Sequence, residues 1–521
     1  MLKIAIAQME IRAGRPDINS KKMLQFIDEA KQQGARLIIF PSLAIEGKTI
    51  GTITEAFLAD CETYTSAVIN SSDGIAIVFN NAQNKILIAK DGRLTQTNFG
   101  LEVMLAHSRF ILGENKKIQP FNKPVIYVNA VGLEDRGKTI YTLDGRSCVY
   151  NSKGEIIFRA PAFEEGLYFV ELEKIDTMPP IAEEDEPEIA NIYKALHYGV
   201  KTFLEHIGMK KIVIGVSGGI DSAVDTALYT KILGSENVLL VNMPSVFNSA
   251  TTRGLSEELA NNLGCNYMVV PIQESVDHTV SQLESIPMNY LEKNLNTQLQ
   301  VSSFAKENIQ ARDRSSRILA TLAAVFGGGF TCNANKAETT VGYATMYGDS
   351  AGVLSALADL WKFQVYDLAH YLNDVVYGRE VIPQGIIDIV PSAELSNNQN
   401  VDQGKGDPMK YPYHDYLFKA FVEKDATPED ILIAYAQDKL EEKIGCKEGL
   451  VKKYFANTKE FITDLEYWWK QFTGIAVAKR IQAPPLIAVT NKPFGSERPE
   501  AQNGIYYTRA YNILKEELLN K

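Results

Sequence analysis

Two patterns of apolar and polar positions follow one another along this chain. In the first, a strand-like apolar run at Lys3–Gln8 leads into helical periodicity over Ser20–Gln33 and a second apolar run at Arg36–Phe40. From Gly74 to about Leu172, short apolar runs alternate with turn sequences such as Asp-Gly and Lys-Gly. This part of the chain is predicted to begin as strand, helix and strand, and to continue mostly as short β-strands.

A proline-rich acidic segment separates the two patterns. Residues 177–187 contain three prolines and four acidic side chains, a composition typical of a linker. A chain of 521 residues is also too long for one compact core. We therefore predict two domains, residues 1–178 and residues 179–521.

After this segment, helices and strands alternate regularly. The predicted order is helix, strand, helix, strand, helix and strand, at about Glu188–Ile207, Lys211–Val216, Ser222–Leu233, Asn237–Met243, Gly254–Leu263 and Tyr267–Pro271. Strands joined through helices by crossover connections form a parallel sheet. We predict a doubly wound, Rossmann-like α/β domain whose binding crevice lies at the carboxyl ends of the strands, where Ser217 and Pro244 fall.

Charge and cysteine content narrow the class of function. The formal net charge of −11 argues against sequence-independent binding of nucleic acid. Five scattered cysteines without a Cys-x-x-Cys pair argue against a disulfide framework or a zinc site. The sequence shows no apolar run of membrane-spanning length and no pattern typical of a secretion signal. A cytoplasmic protein without a membrane or nucleic-acid partner is expected.

The most informative segment joins the first strand of the second domain to a helix. An apolar strand ending at Gly215 runs into Ser217-Gly218-Gly219-Ile220-Asp221-Ser222. Adjacent glycines at a helix start let backbone N–H groups approach a pyrophosphate, and the helix dipole favours its negative charge. No lysine follows the glycines, so this is not the loop of phosphoryl-transfer enzymes. Asp221 suits a Mg²⁺ ion bridging phosphates. The alternative is a strand-to-helix turn with Ser222 as the N-cap.

The same loop resembles a known group of enzymes. Ser217–Ser222 matches the Ser-Gly-Gly-x-Asp-Ser loop of ATP pyrophosphatases, which cleave ATP to AMP and pyrophosphate while adenylating a carboxylate or carbonyl. NAD synthetases, GMP synthetases, asparagine synthetases and tRNA-thiolating enzymes have this loop. The resemblance therefore implies adenylation chemistry and leaves the substrate open.

Five later segments resemble NAD synthetases in particular and occur in that family's order. They are Glu307–Arg314, Thr331–Asp349, Asp359–Tyr366, Pro391–Leu395 and Lys479–Pro485. Ala334 stands where the family has a glycine, and a glycine-containing loop at Asn398–Pro408 replaces the family's acidic strip. The resemblance covers roughly residues 190–500.

The resemblance implies roles for the motif residues. ATP is expected at Gly215, Ser217, Gly218, Gly219, Asp221, Ser222, Thr331, Lys362 and Ser392. Deamido-NAD is expected at Asn308, Arg312, Arg314, Lys336, Asp349 and Lys479. Mg²⁺ is expected on Asp221 and Glu338, and Asp221, Lys336 and Lys362 are expected to be catalytic. Arg312 and Arg314 are forked cations suited to phosphates; the alternative for them is an exposed charged helix face.

The first domain resembles a nitrilase-type amidase, the glutaminase part of two-domain NAD synthetases. The resemblance lies in Ile4–Met9, Gly34–Pro41, Val128–Gly132 and Phe158–Phe163. Such an amidase needs a glutamate, a lysine and a nucleophilic cysteine. Ser42 stands in place of the glutamate, Thr95–Thr97 supplies no lysine, and no cysteine lies between Cys61 and Cys148. The chain passes from Phe110 to the Ile126 strand without the cysteine segment, so we expect a truncated α/β nitrilase-like domain that is structural and not catalytic.

These patterns lead to one functional interpretation. We expect NAD synthesis from deamido-NAD, ATP and ammonia through an adenylated intermediate, with release of AMP and pyrophosphate, in a homo-oligomer. One alternative is the same chemistry on nicotinate mononucleotide. A second alternative, of a different class, is a non-catalytic nucleotide-binding assembly protein.

Overall fold

The computed structural model describes residues 2–81, 85–114, 122–182, 186–290, 295–495, 500 and 504–520. The chain forms two compact units, Met1–Phe203 and Leu204–Lys521. The division falls within a helix, Glu188–His206, and not at the predicted position 178/179. The first part of this helix packs on the N-terminal unit, where the Tyr198 ring lies 5.6 Å from the Phe163 ring. Of the predicted linker, residues 183–185 lie outside the described residues.

The N-terminal unit is built mainly from short strands. They are β1 (Lys3–Gln8), β2 (Glu10–Ile11), β3 (Leu37–Ile39), β4 (Ala76–Asn80), β5 (Ile86–Lys90), β6 (Arg93–Leu94), β7 (Glu102–Leu105), β8 (Val125–Val128), β9 (Val131–Arg136), β10 (Thr139–Asp144), β11 (Cys148–Tyr150), β12 (Ile156–Arg159) and β13 (Gly166–Glu171). Its helices are α1 (Pro16–Gln32), α2 (Glu55–Asn70) and the first part of α3 (Glu188–His206).

Two sheets of this unit pack face to face. One has the strand order β13-β1-β3-β4-β5-β6, in which β1, β3 and β4 are parallel to one another and β13 and β5 are antiparallel to them. The other has the order β12-β11-β8-β7. Strand β9 pairs with β2 and β10. Ala5 of β1 lies in a core cluster with Met23 of α1, while Ile4 lies in a second cluster with Ile126 and Val149 of the other sheet. Because both faces of β1 are covered, its central residues Ile4–Ala7 are all apolar instead of alternating with polar ones.

The C-terminal unit contains a parallel four-stranded sheet. Its strands are β14 (Ile212–Gly215), β15 (Val238–Asn242), β16 (Asn266–Val269) and β19 (Gly329–Phe330), in the order β16-β15-β14-β19. Every neighbouring pair is parallel, which confirms the predicted doubly wound α/β fold. A separate antiparallel pair comprises β17 (Pro287–Tyr290) and β18 (Leu295–Gln298), and β20 is Leu486–Ala488.

Helices make up most of the remaining C-terminal unit. They are α4 (Ile220–Leu233), α5 (Ala250–Leu263), α6 (Gln273–Ser285), α7 (Ser303–Arg312), α8 (Ala320–Phe326), α9 (Lys336–Val341), α10 (Lys362–Tyr371), α11 (Gln384–Asp388), α12 (Tyr411–Glu423), α13 (Pro428–Ala436), α14 (Leu440–Ile444), α15 (Leu450–Tyr454), α16 (Thr458–Thr473), α17 (Ile475–Gln482) and α18 (Arg509–Leu519). Ten of the fourteen residues of α4 are buried, so this helix lies in the core directly after β14.

A buried carboxylate links several elements of the N-terminal unit. The Glu134 side chain has no exposed surface, and its Oε1 accepts hydrogen bonds from Arg109 at 2.7 Å and from Thr49 Oγ1 at 3.0 Å. The Lys48 ammonium lies 3.4 Å from Oε2. Burial by itself raises the pKa of Glu134, but the hydrogen bond and charge of Arg109 outweigh burial and hold the pKa at about 2. The folded unit therefore stabilises the ionised carboxylate.

We expect Glu134 to make the N-terminal unit less stable as the pH falls. Its stabilisation is fully present above the unfolded pKa of about 4.3 and is lost as the pH falls towards the folded value of about 2. Glu134→Gln should lower the free energy of unfolding by about 2 kcal/mol at neutral pH, because it removes the charge that the partly exposed Arg109 and Lys48 face. Urea unfolding of both proteins between pH 7 and pH 3 measures this. The difference should narrow at the acid end; a constant difference would contradict the assignment.

Candidate active site

The loop after β14 turns sharply because one position requires glycine. Gly218 has a φ of +82°, and a Cβ there would lie 2.3 Å from the Thr252 carbonyl oxygen. Within the loop, the Ser217 N–H donates to Ser222 Oγ at 3.3 Å, and Ser222 Oγ donates to the Gly219 carbonyl at 3.0 Å. Ser222 lies inside α4, whose N-cap is Gly219, so the alternative of Ser222 as the N-cap is wrong. The free N–H groups at the start of α4 face this loop and favour an anion.

A cavity of about 620 Å³ opens at the same edge of the sheet. This volume is within the range of small-molecule binding sites. The predicted site residues that line it are Gly215, Ser217, Gly218, Gly219, Asp221, Ser222, Asn308, Arg314, Thr331, Glu338, Asp349, Lys362, Ser392 and Lys479. They come together because parallel strands present their carboxyl ends at one edge.

Three charged side chains meet beside the glycine loop. The Lys362 ammonium is paired with Asp221 Oδ2 and lies 3.6 Å from Glu338 Oε1. Burial by itself lowers the pKa of Lys362, but Asp221 and Glu338 outweigh it and raise the pKa above its ordinary value. The lysine is therefore a permanent cation at the loop.

The two carboxylates of this centre are not equivalent. Burial, followed by the charge of Asp221, raises the pKa of Glu338 to about 8. Asn335 holds both in place, since its Nδ2 donates to Asp221 Oδ1 at 3.0 Å and its Oδ1 caps α9 by accepting from the Glu338 N–H at 3.0 Å. Sequence reasoning assigned no role to Asn335, although an asparagine directly before a helix is a frequent N-cap.

The carboxylates fit a divalent cation only in part. In the described parts of the chain, no group of three or more His, Cys, Asp or Glu side chains is arranged to hold a metal ion. Asp221 and Glu338 nevertheless both lie close to the Lys362 ammonium. With the nearby Asp407, three carboxyl groups surround this one lysine. Mg²⁺ commonly binds through one or two carboxylates together with substrate phosphates. The residues therefore fit Mg²⁺ bound together with a nucleotide.

Cations line another part of the cavity. Arg314 Nε donates to the Met243 carbonyl at 3.0 Å and its guanidinium donates to Asn248 Oδ1 at 3.1 Å. Burial lowers the pKa of Arg314 to about 10, which leaves it charged at neutral pH. Lys479 Nζ donates to the Gly342 carbonyl at 2.7 Å. These groups suit phosphate or carboxylate groups of a ligand.

Polar side chains complete the wall of the cavity. Thr331 Oγ1 donates to Asn333 Oδ1 at 2.6 Å, and Ser392 Oγ donates to the Gln399 carbonyl at 2.6 Å. Asn308 Nδ2 donates to the Phe304 carbonyl at 2.7 Å, and Asp349 Oδ1 accepts from the Thr345 N–H at 2.5 Å. Each of these side chains is thus held by neighbouring groups and retains further hydrogen-bonding capacity for a ligand.

Two predicted residues are not among those that line the cavity. Arg312 is exposed, and its Nε donates to the Met346 carbonyl at 3.1 Å, so it matches the alternative of a charged helix face. Lys336 is fully buried, and its Nζ contacts Asp359 and Thr490 at 2.8 Å and Glu423 at 3.2 Å. Lys336 therefore cross-links the interior, and the expectation that it contacts the dinucleotide does not match its position.

Among the described residues of the N-terminal unit, neither Ser42 nor the two cysteines is placed as an activated nucleophile. Ser42 is buried and its Oγ accepts a hydrogen bond from Asn80 Nδ2 at 2.9 Å. Burial raises the pKa of Cys61 to about 11 and also raises the pKa of Cys148. A nucleophilic cysteine needs a lowered pKa. Of the segment between Phe110 and Ile126, residues 115–121 lie outside the described residues.

None of the described helices combines the length and the apolar composition needed to cross a bilayer.

Two protein families match this chain. Residues 192–447 match the NAD synthase family, and residues 3–121 match the carbon-nitrogen hydrolase family. The glutamine-dependent NAD(+) synthetase of Acinetobacter baylyi is 27% identical over 522 residues, which cover 85% of this chain and 92% of that protein. The enzyme of the same name from Synechocystis is 34% identical over 389 residues, which cover 72% of this chain and 60% of that protein.

Two solved structures have the same fold over nearly the whole chain. The glutamine-dependent NAD(+) synthetase of Cytophaga hutchinsonii has a TM-score of 0.76 at 15% identity and covers 99% of both chains. That of Acinetobacter baumannii, in complex with ADP, has a TM-score of 0.63 at 24% identity and covers 96% of this chain and 98% of its own. The chain therefore contains a nitrilase-like domain of the carbon-nitrogen hydrolase family, followed by a domain of the NAD synthase family.

Proposed function

We propose that this chain makes NAD from deamido-NAD, ATP and ammonia. The observation that carries the proposal is the Lys362 ammonium held between Asp221 and Glu338 at the mouth of the Ser217–Ser222 loop. A glycine loop at a helix start accepts pyrophosphate, and a cation fixed beside it stabilises charge that grows as pyrophosphate leaves. The NAD synthase family match supports deamido-NAD as the substrate that receives the adenylyl group.

Activation of the carboxylate explains why ATP is needed. An oxygen of the nicotinate carboxylate attacks the α-phosphorus of ATP, the bond to the β-phosphate oxygen breaks, and pyrophosphate departs into the loop. Ammonia then attacks the acyl carbon, AMP leaves with the former carboxylate oxygen, and the added nitrogen loses a proton. No covalent enzyme nucleophile takes part, so the role of the chain is to orient the reactants and stabilise charge.

Mg²⁺ would be held by Asp221 and Glu338 and would supply neutralisation of the phosphate charge. Lys362, which lies between these two carboxylates, would then face the phosphates. Lys362 is a compact ammonium on a flexible stem, which suits a charge that moves with the leaving group. Lys336 takes no part in this proposal, because its three buried partners already satisfy its ammonium.

The proposed nitrogen donor is free ammonia. Several relatives are named glutamine-dependent, and those names describe an activity of those proteins. This chain has Ser42 in place of the amidase glutamate, no lysine at Thr95–Thr97 and no cysteine between Cys61 and Cys148. A glutaminase needs all three groups acting together, and neither nearby thiol has the lowered pKa of a nucleophile.

Two comparisons separate the remaining alternatives. Values of kcat/KM for deamido-NAD and nicotinate mononucleotide identify the preferred substrate, since discrimination is expressed in that ratio. Pyrophosphate release from ATP separates an enzyme from a non-catalytic nucleotide-binding protein. We expect release that depends on deamido-NAD.

Removing either proposed Mg²⁺ ligand should abolish the first chemical step. Asp221→Asn and Glu338→Gln are each expected to lower pyrophosphate release more than about a hundredfold while the circular dichroism spectrum stays unchanged. Glu258→Gln, which neutralises an exposed acid on α5, is the matched control and should retain full activity. Full activity with unchanged Mg²⁺ dependence in either ligand variant would remove that residue from the site.

Two lysine variants should separate a catalytic cation from a structural one. Lys362→Met should lower kcat by about a hundredfold to a thousandfold with a smaller change in KM for ATP, because the charge that it faces grows in the transition state. Lys336→Met should instead lower the unfolding temperature, because it leaves Asp359 buried without its cation. Steady-state kinetics and thermal unfolding of both variants measure the contrast. A loss confined to KM in Lys362→Met would make that lysine a ground-state binder.

Only ammonium should support NAD formation. With purified protein, deamido-NAD and ATP, ammonium salts should give NAD, and glutamine freed of ammonium should give a rate near background. The rate with ammonium should rise with pH as the fraction of free ammonia grows. NAD formation from glutamine that is lost in Ser42→Ala or Cys148→Ala would show that the N-terminal domain is catalytic.

A further inference from the structure

The loop that departs from the family pattern brings an acid into the cavity. It contains two short helical turns, Asn397–Gln399 and Val401–Gln403, and it returns to the wall of the cavity at Asp407. The Asp407 N–H donates to the Pro391 carbonyl at 2.8 Å, and Asp407 Oδ1 accepts from the Ala393 N–H at 3.1 Å. The two ends of the loop are therefore tied together at this residue.

Two tyrosines donate to the same carboxylate. Tyr343 OH lies 3.0 Å from Asp407 Oδ1, and Tyr411 OH lies 3.2 Å from Asp407 Oδ2. Gln399 Nε2 donates to the Tyr343 oxygen at 2.7 Å, which leaves the Tyr343 proton directed at Asp407. Asp407 Oδ1 thus accepts a hydrogen bond from Tyr343, and Oδ2 accepts one from Tyr411.

Tyr411 connects Asp407 to the charged centre. Its hydroxyl also lies 3.4 Å from Glu338 Oε1, and the Lys362 ammonium lies 5.0 Å from the centre of its ring. A phenol has one proton, so Tyr411 donates either to Asp407 or to Glu338. Because the hydroxyl is buried, it must donate to one of them. Asp407 Oδ2, at the shorter distance, takes this proton, so Glu338 Oε1 receives no hydrogen bond from Tyr411.

We propose that Asp407 is a positioning residue which, through Tyr411, keeps a Glu338 oxygen available for the divalent cation that accompanies ATP. The inference rests on the proposed function, in which Asp221 and Glu338 hold Mg²⁺. Outer partners of this kind orient metal-holding carboxylates, and their loss commonly weakens metal binding by ten- to a hundredfold. Where the family has an acidic strip, the loop at Asn398–Pro408 thus supplies one acid, Asp407, which two tyrosine hydroxyls hold in position.

The test measures metal binding without turnover. Mn²⁺ is titrated into the full-length protein in the presence of α,β-methylene-ATP and without deamido-NAD, and free Mn²⁺ is counted by electron paramagnetic resonance. Asp407→Asn keeps the oxygen that accepts from Tyr343 and Ala393 but presents an N–H to Tyr411, so the phenol proton turns to Glu338. We expect Mn²⁺ to bind about tenfold more weakly to this variant than to the unsubstituted protein.

A double-mutant cycle separates positioning from simple loss of charge. In a Tyr411→Phe background no phenol proton competes for Glu338, so adding Asp407→Asn should change Mn²⁺ binding less than about twofold. Asp402→Asn, which neutralises an exposed acid in the same loop, is the matched control and should bind Mn²⁺ like the unsubstituted protein. Circular dichroism of each variant checks that the fold is retained.

The outcomes are distinct. Equal weakening by Asp407→Asn with and without the Tyr411 hydroxyl, or unchanged binding in Asp407→Asn, would overturn the proposal. If the unsubstituted protein binds no Mn²⁺ with the nucleotide analogue, the proposed Mg²⁺ assignment fails, and the inference fails with it. Weakening that requires the Tyr411 hydroxyl supports the role of Asp407.

Discussion

The buried ion pair between Lys362 and Asp221 is the constraint on which the active-site structure depends. A buried charge needs a partner, so the starts of α4 and α10 must lie side by side although they are far apart in sequence. Glu338 at the start of α9 joins the same cation. Behind this centre, Lys336 and Asp359 pair in the interior, and the Lys336 N–H donates to the Leu360 carbonyl at 2.8 Å. Two buried lysines thus fix α9 against the segment that leads into α10, one inside the core and one at the cavity.

Negative and positive side chains line different parts of the cavity. Carboxylates gather beside the glycine loop, where burial raises the pKa of Glu338, whereas Arg314 and Lys479 come from other helical segments. Such a division suits a ligand with a metal-associated triphosphate at one place and further anionic groups at another. Tyrosine hydroxyls from α12 and from the segment after α9 lie between these charges and the Asp407 loop. Their hydrogen bonds determine which carboxylate oxygens remain available.

Core packing maintains the fold of the N-terminal unit. Strand β1 has two covered faces, since Ala5 and Ile4 pack into separate core clusters. Core packing requires only apolar side chains of suitable volume, whereas nucleophilic catalysis requires particular groups in particular positions. Ser42 occupies its position as a hydrogen-bond acceptor for Asn80 and contributes no acid or base. The buried Glu134 with Arg109 gives this unit a separate source of stability.

The sequence by itself determined the parallel α/β fold and the glycine loop, and it indicated fourteen of the residues that line the cavity. Apolar periodicity and the requirement for glycine at Gly218 are local properties, so they can be recognised without the structure. The buried position of Lys336, the exposure of Arg312 and the contacts of Asp407 with two tyrosines were decided only by the tertiary structure. A lysine in a motif has the same sequence signal whether its ammonium faces a ligand or a buried aspartate. The difference depends on partners from distant segments, which only the packing of the helices brings together.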